Sequence, residues 1–194
     1  MRTYVIETAA TSFPITLAEA KLHLKVDINT DDTLITGLIE AATQISEEYT
    51  NRFFISTTIE QTCSNFLETQ EVYKSNVIGV TSIKYYDSTN TLVTWNVINY
   101  VVSEEFQPCK IMLADGIDYP EITTRVDAIK VLYSVGYGGN GASVPQAIKS
   151  SILLTIGNWY ANRESVITGR TATEMPMSAK WLLDTYKITV VRWY

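Results

Sequence analysis

The chain has 194 residues, and a chain of that size buries roughly 70% of its unfolded surface, so neither a metal nor a disulfide is needed to hold it. Its formal net charge is −6, from 15 basic and 21 acidic residues that include no Lys/Arg run, which excludes the clustered cations that high-affinity nucleic-acid binding requires. No apolar stretch approaches the ~18 residues of a membrane span, and the start MRTYVIETAATSF meets Glu7 too early for a secretory leader, so a soluble protein of a cytoplasm, or of a particle assembled there, is expected.

After a short extended start, Thr16-Leu17-Ala18-Glu19 is a capping box: hydroxyl and carboxylate each accept from the other residue's amide. A short helix follows, with Leu17, Ala20 and Leu24 on one face and Lys21 and Lys25 beside them. Asp27 to Thr30 interrupts it. Asp31 or Asp32 then caps a second helix, in which Leu34, Ile35, Leu38, Ile39, Ala42, Ile45 and Tyr49 recur at three- and four-residue steps. Glu47 and Glu48 near its C-terminus are read as a solvated face, with Glu48 able to pair with Arg52.

From Phe53 the period changes from helical to alternating. Thr57 to Thr62, Val77 to Tyr86, Leu92 to Trp95, Tyr100 to Val102, Lys110 to Leu113 and Ala128 to Val135 are β-branched and aromatic, bounded by polar turns. Ile83 to Tyr86 and Thr91 to Trp95 flank Asp87-Ser88-Thr89-Asn90 and predict a hairpin. Ile129, Val131, Tyr133 and Val135 take one face of the last strand, with Lys130 and Ser134 on the other. Six strands with no helix between them predict an antiparallel sheet or small barrel.

The glycine-rich run Gly136 to Ser143 leads into a helix over Val144 to Val166. Ile148, Ile152, Thr155 and Trp159 share a stripe, and Leu153, Leu154, Ile156 and Tyr160 cover the other sides, so the helix has almost no wet face and has to be central. Pro145 suits its first turn, and Asn162, Arg163 and Glu164 end the apolar pattern. A loop with Gly169 follows, then a last helix capped by Ser178 and carrying Ala179, Leu182, Leu183 and Tyr186, then the β-branched and aromatic tail Ile188 to Tyr194.

The expected fold class is α+β. Residues 1–55 hold the N-terminal helices of a bundle, 56–135 an inserted antiparallel β module, 136–143 a glycine-rich hinge, and 144–194 the C-terminal helices and tail that complete the bundle.

Few residues carry a chemical motif. Gly136-x-Gly138-x-x-Gly141 matches the dinucleotide fingerprint in letters, but no βαβ unit surrounds it and Pro145 removes an amide that would face a phosphate. Asp27-x-Asn29-x-Asp31 imitates a calcium loop, yet Asp32 stands where a turn glycine is needed and Leu38 where a bidentate glutamate is needed. Helix capping explains the same residues. Asp115, Asp118 and Glu121 form a loose acidic turn. His23 is the only histidine and has no nucleophile motif beside it. Cys63 and Cys109, far apart in sequence, are either buried thiols or a bridge, with buried thiols the ordinary outcome. No catalytic residue, cofactor or metal site is expected. The tail offers a different kind of site: Ile188, Val190, Arg192, Trp193 and Tyr194 lie on an alternating terminal strand, which either docks on its own sheet or adds to the sheet edge of a partner.

In order along the chain, Ile15 to Lys21 with Leu24-Lys25-Val26-Asp27, then Asp31-Asp32-x-Leu34-Ile35-x-x-Leu38-Ile39-x-Ala41-Ala42, then Glu48-Tyr49-Thr50-x-Arg52 resemble the head-tail connector, or adaptor, family of tailed bacteriophages and prophages. Val80 to Asp87, Tyr137-Gly138 before Val144-Pro145, Trp159-Tyr160-x-Asn162-Arg163-Glu164 and Leu182-Leu183-x-x-Tyr186 continue the resemblance across nearly the whole chain. It implies a structural virion protein that forms a ring, commonly dodecameric, beneath the portal protein. Such a ring extends the channel through which double-stranded DNA passes without sequence-specific binding, and offers a platform for a neck or tail-completion protein. It further implies no enzymatic activity and no membrane partner, a place in the virion neck, assembly in the host cytoplasm, and the tail as a candidate portal grip. Another virion subunit, such as a tail-completion protein, or a small-molecule enzyme using the glycine loop are the alternatives.

Overall fold

The computed structural model describes residues 4–67, 69–72, 74, 76–162, 166–167, 170–171 and 175–188. The protein is α+β, with four α-helices and antiparallel sheets. Its described residues form two compact units, one of residues 4–10 and 56–137, the other of residues 11–55 and 138–188.

The first unit is β-structure. Strands β1 (Tyr4–Thr8), β2 (Thr57–Cys63), β3 (Thr69–Glu71), β4 (Val77–Tyr86), β5 (Leu92–Thr94), β6 (Tyr100–Ser103), β7 (Lys110–Leu113) and β8 (Ile129–Val135) make a five-stranded sheet in the order β1-β2-β8-β4-β5 and a three-stranded sheet in the order β3-β7-β6. All six expected strands are present. The short extended start is strand β1, and β3 adds a strand whose three residues are too few to display a period. Strand β8 alternates as expected, with Ile129, Val131, Tyr133 and Val135 buried and Lys130, Leu132 and Ser134 half-buried. Its neighbour β2 sets Ile59 opposite Tyr133 and Gln61 opposite Val131, which fixes the register through the shared buried face. Gln61 is fully buried yet satisfied: its Oε1 accepts from the Tyr133 hydroxyl at 3.0 Å, and its Nε2 donates to the Glu71 carbonyl at 3.2 Å, so one side chain joins the two sheets. The hairpin of β4 and β5 turns on Asp87, whose Oδ1 accepts from the amides of Thr89 and Thr91 at 2.9 and 3.0 Å.

The second unit holds α1 (Leu17–Leu24), α2 (Asp32–Thr50), α3 (Gln146–Ala161) and α4 (Met177–Asp184), with the two-residue strands β9 (Val166–Ile167) and β10 (Arg170–Thr171) paired to each other. Among the described residues no helix is long and apolar enough to cross a membrane. The capping box of α1 forms as expected, with the Thr16 amide donating to Glu19 Oε2 at 2.8 Å and the Glu19 amide to Thr16 Oγ1 at 3.2 Å.

Two expected caps are corrected. Asp31 stands at the N-cap of α2 but makes no side-chain cap bond, because its Oδ2 accepts the Tyr160 hydroxyl of α3 at 2.5 Å. Helix α4 starts after Pro176, which leaves Ser178 inside its first turn and exposed.

Helix α3 packs against α1, α2 and α4. It buries Ile148, Ser151, Ile152, Thr155 and Ile156, while Leu153 is half-buried and Leu154 exposed, so the helix is wetter on one side than its composition predicts. The buried hydroxyls have partners: Ser151 Oγ donates to the Ala179 carbonyl at 3.0 Å, and Thr155 Oγ1 to the Ser151 carbonyl at 2.9 Å. After α4 the chain is tied to the end of α2, where Arg52 Nε donates to the Tyr186 carbonyl at 2.6 Å and the Ile188 amide to the Thr50 carbonyl at 3.1 Å.

Glu19 also reaches α3, its Oε1 accepting from Lys149 Nζ at 2.6 Å. The Lys149 hydrogen bond first, and the Thr16 amide second, hold its carboxyl at about 2, below the ordinary 4.5. A depressed carboxyl pKa adds stability that is fully present above pH 4.5 and is lost as pH falls through about 2. The Glu19 side chain is 41% exposed, so screening holds the contribution to about 0.5–1 kcal/mol. Acid unfolding of the wild type is therefore expected to steepen between pH 4.5 and 2 relative to Glu19→Gln; parallel stability-versus-pH curves for the two proteins would refute the tether.

Candidate interaction surfaces

The glycine run that imitates a nucleotide loop is a close-packed corner. A Cβ on Gly141 would lie 2.4 Å from the Pro14 carbonyl oxygen and 3.0 Å from its carbon, both backbone atoms that cannot step aside. Ser12 Oγ donates to the Gly139 carbonyl at 3.1 Å, and Asn140 Oδ1 accepts from the Ala142 amide at 3.0 Å, closing a short 3-10 turn over Gly141–Ser143. The amides of Ala142, Ser143 and Val144 are engaged within the turn, and the glycine at 141 is explained by proximity to Pro14.

The calcium-like stretch is organised around a cation the chain supplies itself. Lys21 Nζ donates to Asn29 Oδ1 at 2.8 Å and to Asp32 Oδ1 at 2.7 Å, while Asp31 turns to Tyr160. Asp115, Asp118 and Glu121 are exposed, and among the described residues no group of three or more His, Cys, Asp or Glu is placed to hold a metal. His23 lies with Nε2 3.3 Å from where a Gly157 Cβ would stand, so the glycine makes room for the ring against α3. Cys63 and Cys109 are both free thiols. Burial, with Glu104 adding repulsion, pushes the Cys109 thiol up to about 11, so it is not a thiolate at neutral pH.

Of the tail residues singled out in the sequence, Ile188 is half-buried and anchored through its amide to Thr50. Val190, Arg192, Trp193 and Tyr194 lie outside the described residues.

The outer face of the five-stranded sheet is charged, and part of that charge is paired within the chain. Lys130 Nζ pairs with Glu60 Oε1 at 2.7 Å, and Arg125 grips Asp127 with two bonds of 2.6 and 2.7 Å while its guanidinium lies 3.5 Å from the centre of the Tyr86 ring. Lys84 stands directly opposite Lys130 in the β4–β8 register. Between the two sheets of this unit Phe66 stacks on Tyr119 at 4.9 Å and meets Trp95 at 4.9 Å, lining an apolar cleft whose rim carries Leu67 and Met112.

In the helical unit exposed apolar groups lie on helices and, as Phe13 and Ile28, in the segments before α1 and between α1 and α2. Leu22 of α1 is 82% exposed, Met177 and Trp181 of α4 are 69% and 68% exposed, and Leu34 and Ile45 of α2 are exposed too. The apolar repeat of the sequence runs through Leu34 and Ile45 as well as through the buried Ile35, Ile39 and Ala42. The available signal was a doubled pattern: 34, 38, 41, 45 and 35, 39, 42, 46 are two stripes about 100° apart, and only one of them can face the core.

Comparison with known proteins agrees with this architecture. Residues 14–108 match the family model described as Phage gp6-like head-tail connector protein, which runs from the entry of α1 through β6. The resemblance read from the sequence therefore holds. No curated protein matches the chain. Among solved structures, a chain of the neck of an empty gene transfer agent (GTA) particle computed with C6 symmetry superposes with a TM-score of 0.80 at 16% identity, covering 98% of this chain and 97% of that one. A chain of the virion of a native GTA particle gives 0.79 at 17% identity, over 98% and 97%. A chain of the neck of the native particle computed with C12 symmetry gives 0.76 at 18% identity, over 99% and 97%. At such identities the likeness establishes a shared fold over the whole chain.

If Gly141 is required by packing, Gly141→Ala loses about 1–3 kcal/mol of stability, whereas Gly139→Ala, whose new Cβ would meet nothing within 4 Å, melts near the wild type. Thermal unfolding of the two variants decides this; equal melting temperatures would return the loop to the status of a hinge.

Proposed function

With the connector-family match at residues 14–108 as premise, we propose that this protein is a head-tail connector: a structural, non-catalytic subunit of the neck of a phage-like particle. In this reading it forms a ring of identical copies, a dodecamer on the portal, that continues the DNA channel and receives a neck or tail-completion protein. The four helices act as a bundle into which the β module of residues 56–135 is inserted, with residues 136–143 joining the two. Assembly takes place in the host cytoplasm and the mature location is the virion neck.

The observation that carries the proposal is the coincidence of two independent likenesses, a family match over residues 14–108 and a fold match over 98% of the chain to particle-neck structures. The charge supports it. A subunit of net charge −6 repeated around a channel presents a wall to which DNA does not adhere. Two basic residues of the β unit are held by carboxylates of their own chain, Lys130 by Glu60 and Arg125 by Asp127.

The portal contact is assigned to the tail, Ile188, Val190, Arg192, Trp193 and Tyr194, acting as a strand added to a portal sheet edge. Because the Ile188 amide is tied to Thr50, the informative truncation removes residues 189–194 and keeps Ile188. The truncated protein is expected to melt as the wild type does and to bind purified portal rings about tenfold more weakly or worse in co-sedimentation. Full binding by the truncated protein would remove the tail from the contact. Failure of the intact protein to sediment with portal while it sediments with tail tubes would replace the connector reading by a tail-completion role.

A further inference from the structure

We propose that the outer face of α2 is the seat for a second copy of this chain, filled by the Leu22–Lys25 corner of that copy's α1. The inference rests on the ring reading above and names its subunit contact.

Helix α2 turns Ile35, Ile39, Ala42 and Ser46 into its own unit, and turns a second stripe, Leu34, Leu38, Ala41 and Ile45, away from that core. The second stripe runs in steps of four, three and four, the spacing of a helix-packing seam. Gly37 lies beside it. A glycine inside a helix is destabilising relative to alanine, and beyond the helix's own adjacent backbone nothing comes within 4 Å of a Cβ built at this position. Nothing within the protein requires the missing side chain. Leu34, Gly37, Leu38 and Ala41 stand at i, i+3, i+4 and i+7, the four corners that receive one knob from a facing helix, with the glycine and alanine leaving it deep.

Charge selects the knob. Helix α2 contains Asp32, Glu40, Glu47 and Glu48 and no basic residue; Glu48 continues the outward stripe and Glu40 flanks it. The helical unit offers two prominent exposed apolar helix positions besides α2 itself, Leu22 with its neighbours on α1 and Trp181 with Met177 on α4. On α4, Lys180 beside Trp181 already has a partner, and Asp184, three residues beyond Trp181, is a carboxylate that accepts the Tyr49 hydroxyl of its own chain at 2.5 Å. Three residues beyond Leu22 stands Lys25, which is exposed and makes no ion pair among the described residues, with His23 alongside. Leu22 in the hole with Lys25 against the α2 carboxylates is the pairing in which shape and sign agree. The two patches are different, so the contact is head-to-tail, as a closed ring requires.

The test uses single cysteines in a Cys63→Ala, Cys109→Ala background. Leu22→Cys and Gly37→Cys proteins are made separately, mixed, and oxidised with portal rings present. Disulfide-linked dimers are expected in the mixture and in neither protein alone. Dimers of Gly37→Cys alone would mean a two-fold α2 contact, and coupling of Gly37→Cys to Trp181→Cys would give the seat to α4; either overturns the proposal and leaves the connector reading standing. Oligomers without any 22–37 link overturn it as well. No oligomer by sedimentation, with or without portal, overturns the ring reading itself. Independently and with the native cysteines kept, Gly37→Leu fills a hole that is open within the chain. It is expected to melt no lower than wild type and to self-associate at least about tenfold more weakly; unchanged assembly would refute the seat.

Discussion

The Ser151 hydroxyl, buried and donating to the Ala179 carbonyl at 3.0 Å, is one of three polar bonds by which α3 holds the other helices of its unit. Lys149 reaches Glu19 at the start of α1, and Tyr160 reaches Asp31 at the start of α2. Each bond contributes about 1 kcal/mol net. Their larger effect is directional. Apolar burial of Ile148, Ile152 and Ile156 is satisfied by many slightly rotated packings, whereas a hydroxyl or ammonium with one partner at a fixed distance is satisfied by one. Helix α3 therefore sets the positions of three neighbours, and the exposed faces of α1 and α2 inherit a defined geometry.

The β unit uses the same device. Its buried face carries Gln61 among apolar neighbours such as Ile59 and Val131, and that side chain bridges Tyr133 of the large sheet and the Glu71 backbone of the small one. A glutamine left without partners in that position would cost about 1–3 kcal/mol, so the two sheets are held to the arrangement in which it has them. In each unit a buried polar side chain thus fixes how the packed elements meet.

Much of the fold was legible residue by residue. The alternation of Ile129, Val131, Tyr133 and Val135, the Thr16/Glu19 capping box and the Asp87 turn are local patterns, and each appears as its local chemistry requires. The errors are as local as the successes. Asp31 was taken for a cap because its sequence neighbours allow it, but the Tyr160 hydroxyl, 129 positions away, offers its carboxylate a better-placed donor. Leu34 and Ile45 belong to the same apolar repeat as Ile35 and Ile39, and periodicity does not say which of two adjacent stripes finds a partner inside the chain. The place of Gly141 is likewise beyond local reading, since the Pro14 backbone is brought against it only by folding.

By itself the sequence determined the kinds and order of the elements, the antiparallel character of the sheet region, the want of a catalytic motif, and an ordered set of blocks that resembles the connector family. These follow from period, capping and composition, which act over a few residues. Only the tertiary structure decided that the first strand joins the β unit, that α3 is tethered to three helices, and that α2 carries an apolar, acid-flanked face with an unfilled notch at Gly37. Those features depend on which surfaces a distant part of the chain covers, and solvent exposure is a property of the packed molecule that no window of sequence contains.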